Sequence, residues 1–171
     1  ITASAAGFTS GSKNFVLNDN DPHHFAISSI AGPKSTGIPF GITITAQDIN
    51  NVTLPGFSGT AALSAAGDGG VISMSPSSTG GFSAGVWAGS ITCNSAATNA
   101  RITATSGAAT GSSNPFDLAL PPSITVNPAS ISLSVDQGTS ATRTFTIGNG
   151  GAIPLVWNLV HQAAWMDAEE H

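Results

Sequence analysis

Phe40-Gly41-Ile42-Thr43-Ile44-Thr45-Ala46-Gln47-Asp48 is the stretch that decides the fold. Phe40, Ile42, Ile44 and Ala46 alternate with Gly41, Thr43 and Thr45. A period of two puts the first set on one face of a pleated strand and the second set on the other. Ile and Thr are β-branched and fit that backbone well. Asp48 to Asn51 then reads as a turn, because Asp and Asn side chains bond their own backbone. The stretch is a strand with one apolar face, and that face needs another apolar face to cover it.

The same reading extends in both directions. His24-Phe25-Ala26-Ile27-Ser28-Ser29-Ile30 is a strand before it, and Gly32-Pro33-Lys34 is the turn between. Strands are predicted after it at Gly59 to Ser64, Gly70 to Met74, Gly81 to Cys93 with a bulge near Gly85, Ala100 to Thr105, and Phe116 to Leu120. Gly67-Asp68-Gly69-Gly70 and Ser75-Pro76-Ser77-Ser78 read as loops. This gives about seven short strands between His23 and Leu120, the signature of an antiparallel sandwich. No ten-residue stretch here carries a convincing helical period.

The flanks look incomplete. Ile1 to Leu17 reads as a hairpin, with Gly7 to Gly11 turning between Ile1–Ala5 and Lys13–Leu17. A lone hairpin is marginal in water, so this one must lean on something. Beyond Pro121-Pro122, strands are predicted at Ser123–Val126, Ile131–Val135, Thr142–Ile147 and Leu155–Val160. With the first two counted as one broken edge strand, that is about three of the seven a sandwich needs. Residues 161–171 turn Ala-rich and acidic and are expected to be irregular or helical. The expected division is therefore 1–21, 22–120, 121–160 and 161–171. Such a chain reads as a segment of a longer modular protein, exposing unpaired strands through which it would self-associate or take up neighbouring modules or other protein chains.

Composition narrows the function classes. Charged residues are 8% of the 171 residues, against about 25% in ordinary globular proteins. Lys13, Lys34, Arg101 and Arg143 are scattered, so no basic stripe exists to neutralise phosphates, and nucleic acid is not expected as a partner. No apolar run reaches the ~20 residues of a spanning helix. Ser and Thr hydroxyls hydrate the strand faces instead of charges. Cys93 is the single cysteine. It is expected to be a small buried hydrophobe on a strand, since no base stands beside it in sequence.

Three resemblances follow from particular motifs. Ile1-Thr2-Ala3-Ser4-Ala5-Ala6-Gly7-Phe8, with Val16-Leu17-Asn18-Asp19-Asn20-Asp21, resembles the last two strands of a Calx-beta-like module. His24 to Leu120 resembles the immunoglobulin-like modules of large exported bacterial proteins. The marks are Phe40 to Asp48, Gly59-Thr60-Ala61-Ala62-Leu63-Ser64, Gly85-Val86-Trp87-Ala88-Gly89 and Ser113-Asn114-Pro115-Phe116. Pro128-Ala129-Ser130-Ile131, Thr144 to Gly151 and Leu155-Val156-Trp157 resemble a second immunoglobulin-like repeat type. The resemblances imply an all-β chain: an immunoglobulin-like antiparallel β-sandwich with partial β modules at both ends, from a multi-module, secreted or cell-surface bacterial protein.

Candidate sites are few. Asp19 and Asp21 offer hard oxygens of the kind Ca²⁺ takes, and they match the place where Calx-beta modules supply ligands after the last strand. Adjacent His23 and His24 on a strand would point to opposite faces and not share a metal. Gly81-Phe82-Ser83-Ala84-Gly85 has the Gly-x-Ser-x-Gly spacing but no His or Asp pattern to serve it, and no HExxH or phosphate-loop pattern occurs. Trp87, Trp157 and Phe82 are expected as core, although exposed rings would make a sugar platform. The leading expectation is a non-catalytic spacer or adhesion segment, with no cofactor beyond Ca²⁺ at Asp19 and Asp21. An accessory region of a secreted hydrolase and a carbohydrate-binding module are the alternatives.

Overall fold

The computed structural model describes residues 2–3, 6–7, 11–12 and 21–160. The described residues are all-β, with no helix among them. It follows that no described helix is long and apolar enough to cross a membrane. The chain divides into two compact units, Ile1–Leu118 and Ala119–His171.

In the first unit, β1 (Thr2–Ala3) and β2 (Gly11–Ser12) form an antiparallel pair, Thr2 opposite Ser12. The predicted return strand Lys13–Leu17 lies outside the described residues. Ten further strands follow: β3 (His24–Ile27), β4 (Lys34–Ser35), β5 (Phe40–Gln47), β6 (Ala62–Gly67), β7 (Gly70–Ile72), β8 (Met74–Ser75), β9 (Val86–Cys93), β10 (Ala97–Ser106), β11 (Ala109–Ser112) and β12 (Phe116–Ala119).

These ten belong to one sheet system that closes over its own core. One antiparallel block runs β3-β5-β9-β8. A second runs β7-β6-β10, with β10 pairing on its other side first with β12 and then with β11. The seam is a parallel pair, Thr110 of β11 opposite His24 of β3. The sheet is therefore mixed, and the expected purely antiparallel pairing fails at this position. The cause is topological: β11 comes off β10 by a tight turn and reaches β3 from the same direction.

The alternation predicted for β5 is what is seen. Ile42, Ile44 and Ala46 are buried, and Ile44 has no exposed surface. Ile91 and Cys93 of β9, Leu63 and Ala65 of β6, and Ile102 and Ala104 of β10 join them in one cluster. Both blocks thus turn their apolar faces to the same interior. One end is filled by Phe25, Phe57 and Phe82, with ring centroids 5.0–5.9 Å apart and tilted or edge-on faces. At Phe40 and Phe116 a second edge-on pair stands 5.7 Å apart, and Lys34 lies over the Phe40 ring.

Asn99 explains how β10 keeps its apolar side inward. Ala97 packs against the core and so does Ala100, three residues on. A strict period of two would forbid that. The register shifts between these positions, and Asn99 takes φ +53°. One extra residue in a bulge restores the phase, and Asn tolerates the left-handed region better than most residues.

The second unit holds β13 (Ile124–Asn127) and β14 (Thr146–Asn149), paired antiparallel with Ile124 opposite Asn149. The strands predicted at Ile131–Val135 and Leu155–Val160 are absent, and Thr142–Ile147 is reduced to its last two residues at the start of β14. Alternating side chains alone do not make a strand: the backbone donors need a ladder partner, and two strands supply few. Ile131, Leu133 and Val135 accordingly stay about half exposed. Residues 161–171 lie outside the described set, so the expected tail does too.

Candidate functional site

Asp19 lies outside the described residues. Asp21 is exposed and sits in a bend three residues before β3. The structure thus gives one half of the candidate calcium pair, and among the described residues no group of three or more His, Cys, Asp and Glu gathers around a common point.

His23 and His24 differ from the sequence reading. The alternation rule holds only within a strand, and β3 starts at His24. His23 sits in the preceding bend, held by its backbone N–H donating to the Gln47 carbonyl at 2.9 Å. The two rings meet edge-on with centroids 5.4 Å apart, and their Nδ1 atoms are 3.2 Å from each other. One Nδ1 must carry the proton and the other accept it. Asp48 lies nearby, with its carboxyl pulled below the usual range chiefly by the Val52 backbone N–H, and also by Asn50 and the charge of His24.

A cleft of about 320 Å³ lies beside the β10 bulge, lined by Gly32, Pro33, Asn99, Pro115, Phe116 and Asp117. Its polar groups are already engaged. The Asn99 backbone N–H donates to Asp117 Oδ1 at 3.1 Å, and the Asn99 Nδ2 donates to Asp68 Oδ2 at 2.7 Å. Thr98 Oγ1 donates to the same Asp68 oxygen at 2.9 Å. Two carboxylates from neighbouring segments therefore pin the bulge. They satisfy donors that a register shift would otherwise leave without ladder partners. The volume is at the small end for ligand pockets.

The motifs that mark the resemblance have structural work to do. Asn114 clasps Ile30, 84 positions away, with Oδ1 accepting from its N–H at 2.8 Å and Nδ2 donating to its carbonyl at 2.9 Å. Ser113 is buried, yet its hydroxyl accepts from the Ile102 N–H and donates to the Asn114 carbonyl. Thr79, the other buried polar side chain among the described residues, accepts from the Ala61 N–H. Gly85 takes φ +77° in the turn before β9, where a Cβ would strike the Leu54 carbonyl. This tight turn stands where the bulge was expected.

Trp87 is half-buried against the core, and its ring lies over Gly89, where any side chain would overlap it. Phe82 is buried, while Trp157 in the second unit is 52% exposed. Cys93 is buried, and desolvation pushes its thiol pKa up. A raised pKa means less thiolate, the reverse of what a nucleophile needs. Comparison of the chain with family models, with curated proteins and with solved structures finds no match.

Proposed function

We propose that residues 22–120 act as an immunoglobulin-like β-sandwich module in a multi-module exported bacterial protein, with a spacing or adhesive role rather than a catalytic one. The observation that carries this reading is the single closed core of the first unit. Twenty apolar side chains from Phe25 to Leu118 form one cluster. Both buried polar side chains are hydrogen-bonded, and no described buried side-chain N or O atom lacks a partner. A module of this kind is stable without its neighbours, so it can set distance along a chain. The break after Leu118 is followed at once by Pro121-Pro122. Consecutive prolines are stiff and extended, which suits a connector. Among the described residues β13 and β14 pair with each other alone, and Ile124 and Val126 of β13 and Phe145 just before β14 are exposed. Such edges suit association with other modules or chains by strand addition.

A fragment of residues 22–120 is expected to be soluble, monomeric and cooperative in urea, with the full chain sedimenting as a larger species. Limited digestion with a broad-specificity protease should release the same fragment first. Early cleavage inside β5, or a 22–120 fragment that fails to fold, would sink the module reading.

Calcium belongs to the same proposal. If Asp19 and Asp21 bind Ca²⁺, millimolar Ca²⁺ raises the melting temperature relative to chelator by mass action. The Asp19→Asn/Asp21→Asn chain should then show no difference between the two conditions. Identical melting of the unaltered chain with Ca²⁺ and with chelator removes the idea.

A further inference from the structure

We propose that His23 and His24 form a bidentate site for a borderline divalent ion, Zn²⁺, through their two Nδ1 atoms. The argument begins with distance. Two imidazole nitrogens bound to zinc at ~2.0–2.1 Å with a tetrahedral angle stand about 3.3–3.4 Å apart. The Nδ1 atoms of His23 and His24 are 3.2 Å apart. The nitrogen spacing that a tetrahedral ion needs is already present. A square-planar ion with the same bond lengths would need the nitrogens drawn closer, to about 2.8–3.0 Å.

The backbone explains why this pair is pre-set. His24 is fixed as the first residue of β3, opposite Gln47 of β5 and beside Thr110 of β11. His23 is fixed by its N–H on the Gln47 carbonyl. Both side chains therefore spring from one anchored corner. His23 is exposed and His24 half-buried, so an ion reaches them from solvent.

The proton balance is simple. Between two neutral rings, one Nδ1 carries a proton that the other Nδ1 accepts. On metal binding that proton leaves Nδ1 and the same ring takes one up at Nε2 through water. Both rings then present Nδ1 lone pairs and stay neutral, with no net proton released. Among the described residues no cluster of three ligands forms, so the remaining positions fall to water or to a group from another molecule. Two imidazoles alone leave the coordination open, unlike a closed four-ligand structural site.

The test uses the full chain. His161 and His171 are the other two histidines, so the background is His161→Ala/His171→Ala. Zn²⁺ titrated calorimetrically into this chain should bind with one ion per chain. Adding His23→Ala should weaken that binding by about tenfold or more. His23 is exposed, so this variant keeps its fold, checked by an unchanged melting curve. In nitrogen NMR, the Nδ1 resonances of both rings should move together on titration. Absence of saturable binding up to millimolar Zn²⁺, or an affinity indifferent to His23→Ala, overturns the proposal.

Discussion

Ile44→Ala is expected to lower the unfolding free energy by about 2–5 kcal/mol, the range for emptying a buried aliphatic site. Ile44 has no exposed surface and sits mid-strand in β5, which pairs with β3 on one side and β9 on the other. Its neighbours are held by two ladders and cannot fall into the space, which puts the expected cost in the upper half of that range. A domain of this size has only about 5–15 kcal/mol in total. The urea midpoint should fall sharply with an unchanged slope, since the surface exposed on unfolding hardly changes. Thr43→Ala, one position along and half-exposed, is the control and should cost far less. Equal losses at Thr43 and Ile44 would mean that β5 does not face the core as described.

That prediction rests on the part of the fold most legible in the sequence. β5 is readable because its apolar residues alternate over four positions, and one buried face fixes the register. β10 is readable for the same reason from Ala100 onward, but its bulge is not. Only the preference of Asn for the left-handed region hints at Asn99, and that preference is shared by many turn residues. β11 is silent in sequence: Ala109-Thr110-Gly111-Ser112 has one apolar side chain, and it is a strand because Thr103–Ser106 is there to pair with it. Ile131 to Val135 shows the converse. It alternates as well as β5 does, but it has no ladder partner among the described residues and forms no strand. The histidine pair is missed when the alternation rule is carried one residue beyond the start of the strand at His24. With His23 inside the strand the rings diverge; with His23 in the bend they meet.

The seam between β11 and β3 gives the second large effect. Gly111 pairs with Ala104 of β10, and a Cβ built on it would collide with the carbonyl of Phe25. The obstructing atoms are backbone, so neither can rotate away as a side chain would. Gly111→Ala must therefore push β11 and β3 apart, and His24–Thr110 is the one parallel contact that joins the two blocks there. Phe25 also leads the aromatic cluster with Phe57 and Phe82. Shifting its backbone disturbs that packing along with the seam. Overpacking typically costs about 1–3 kcal/mol, and occasionally more. With backbone on both sides, a loss of about 3 kcal/mol is expected, with Gly111→Val worse. Amide exchange should quicken at residues 24–27 and 109–112 before it does in β5. Gly41→Ala is the matched control. It meets nothing within 4 Å and has no left-handed φ, so it should stay within about 0.5 kcal/mol of the parent chain. If Gly111→Ala and Gly41→Ala melt together, β11 does not press against Phe25 and the two blocks are joined some other way.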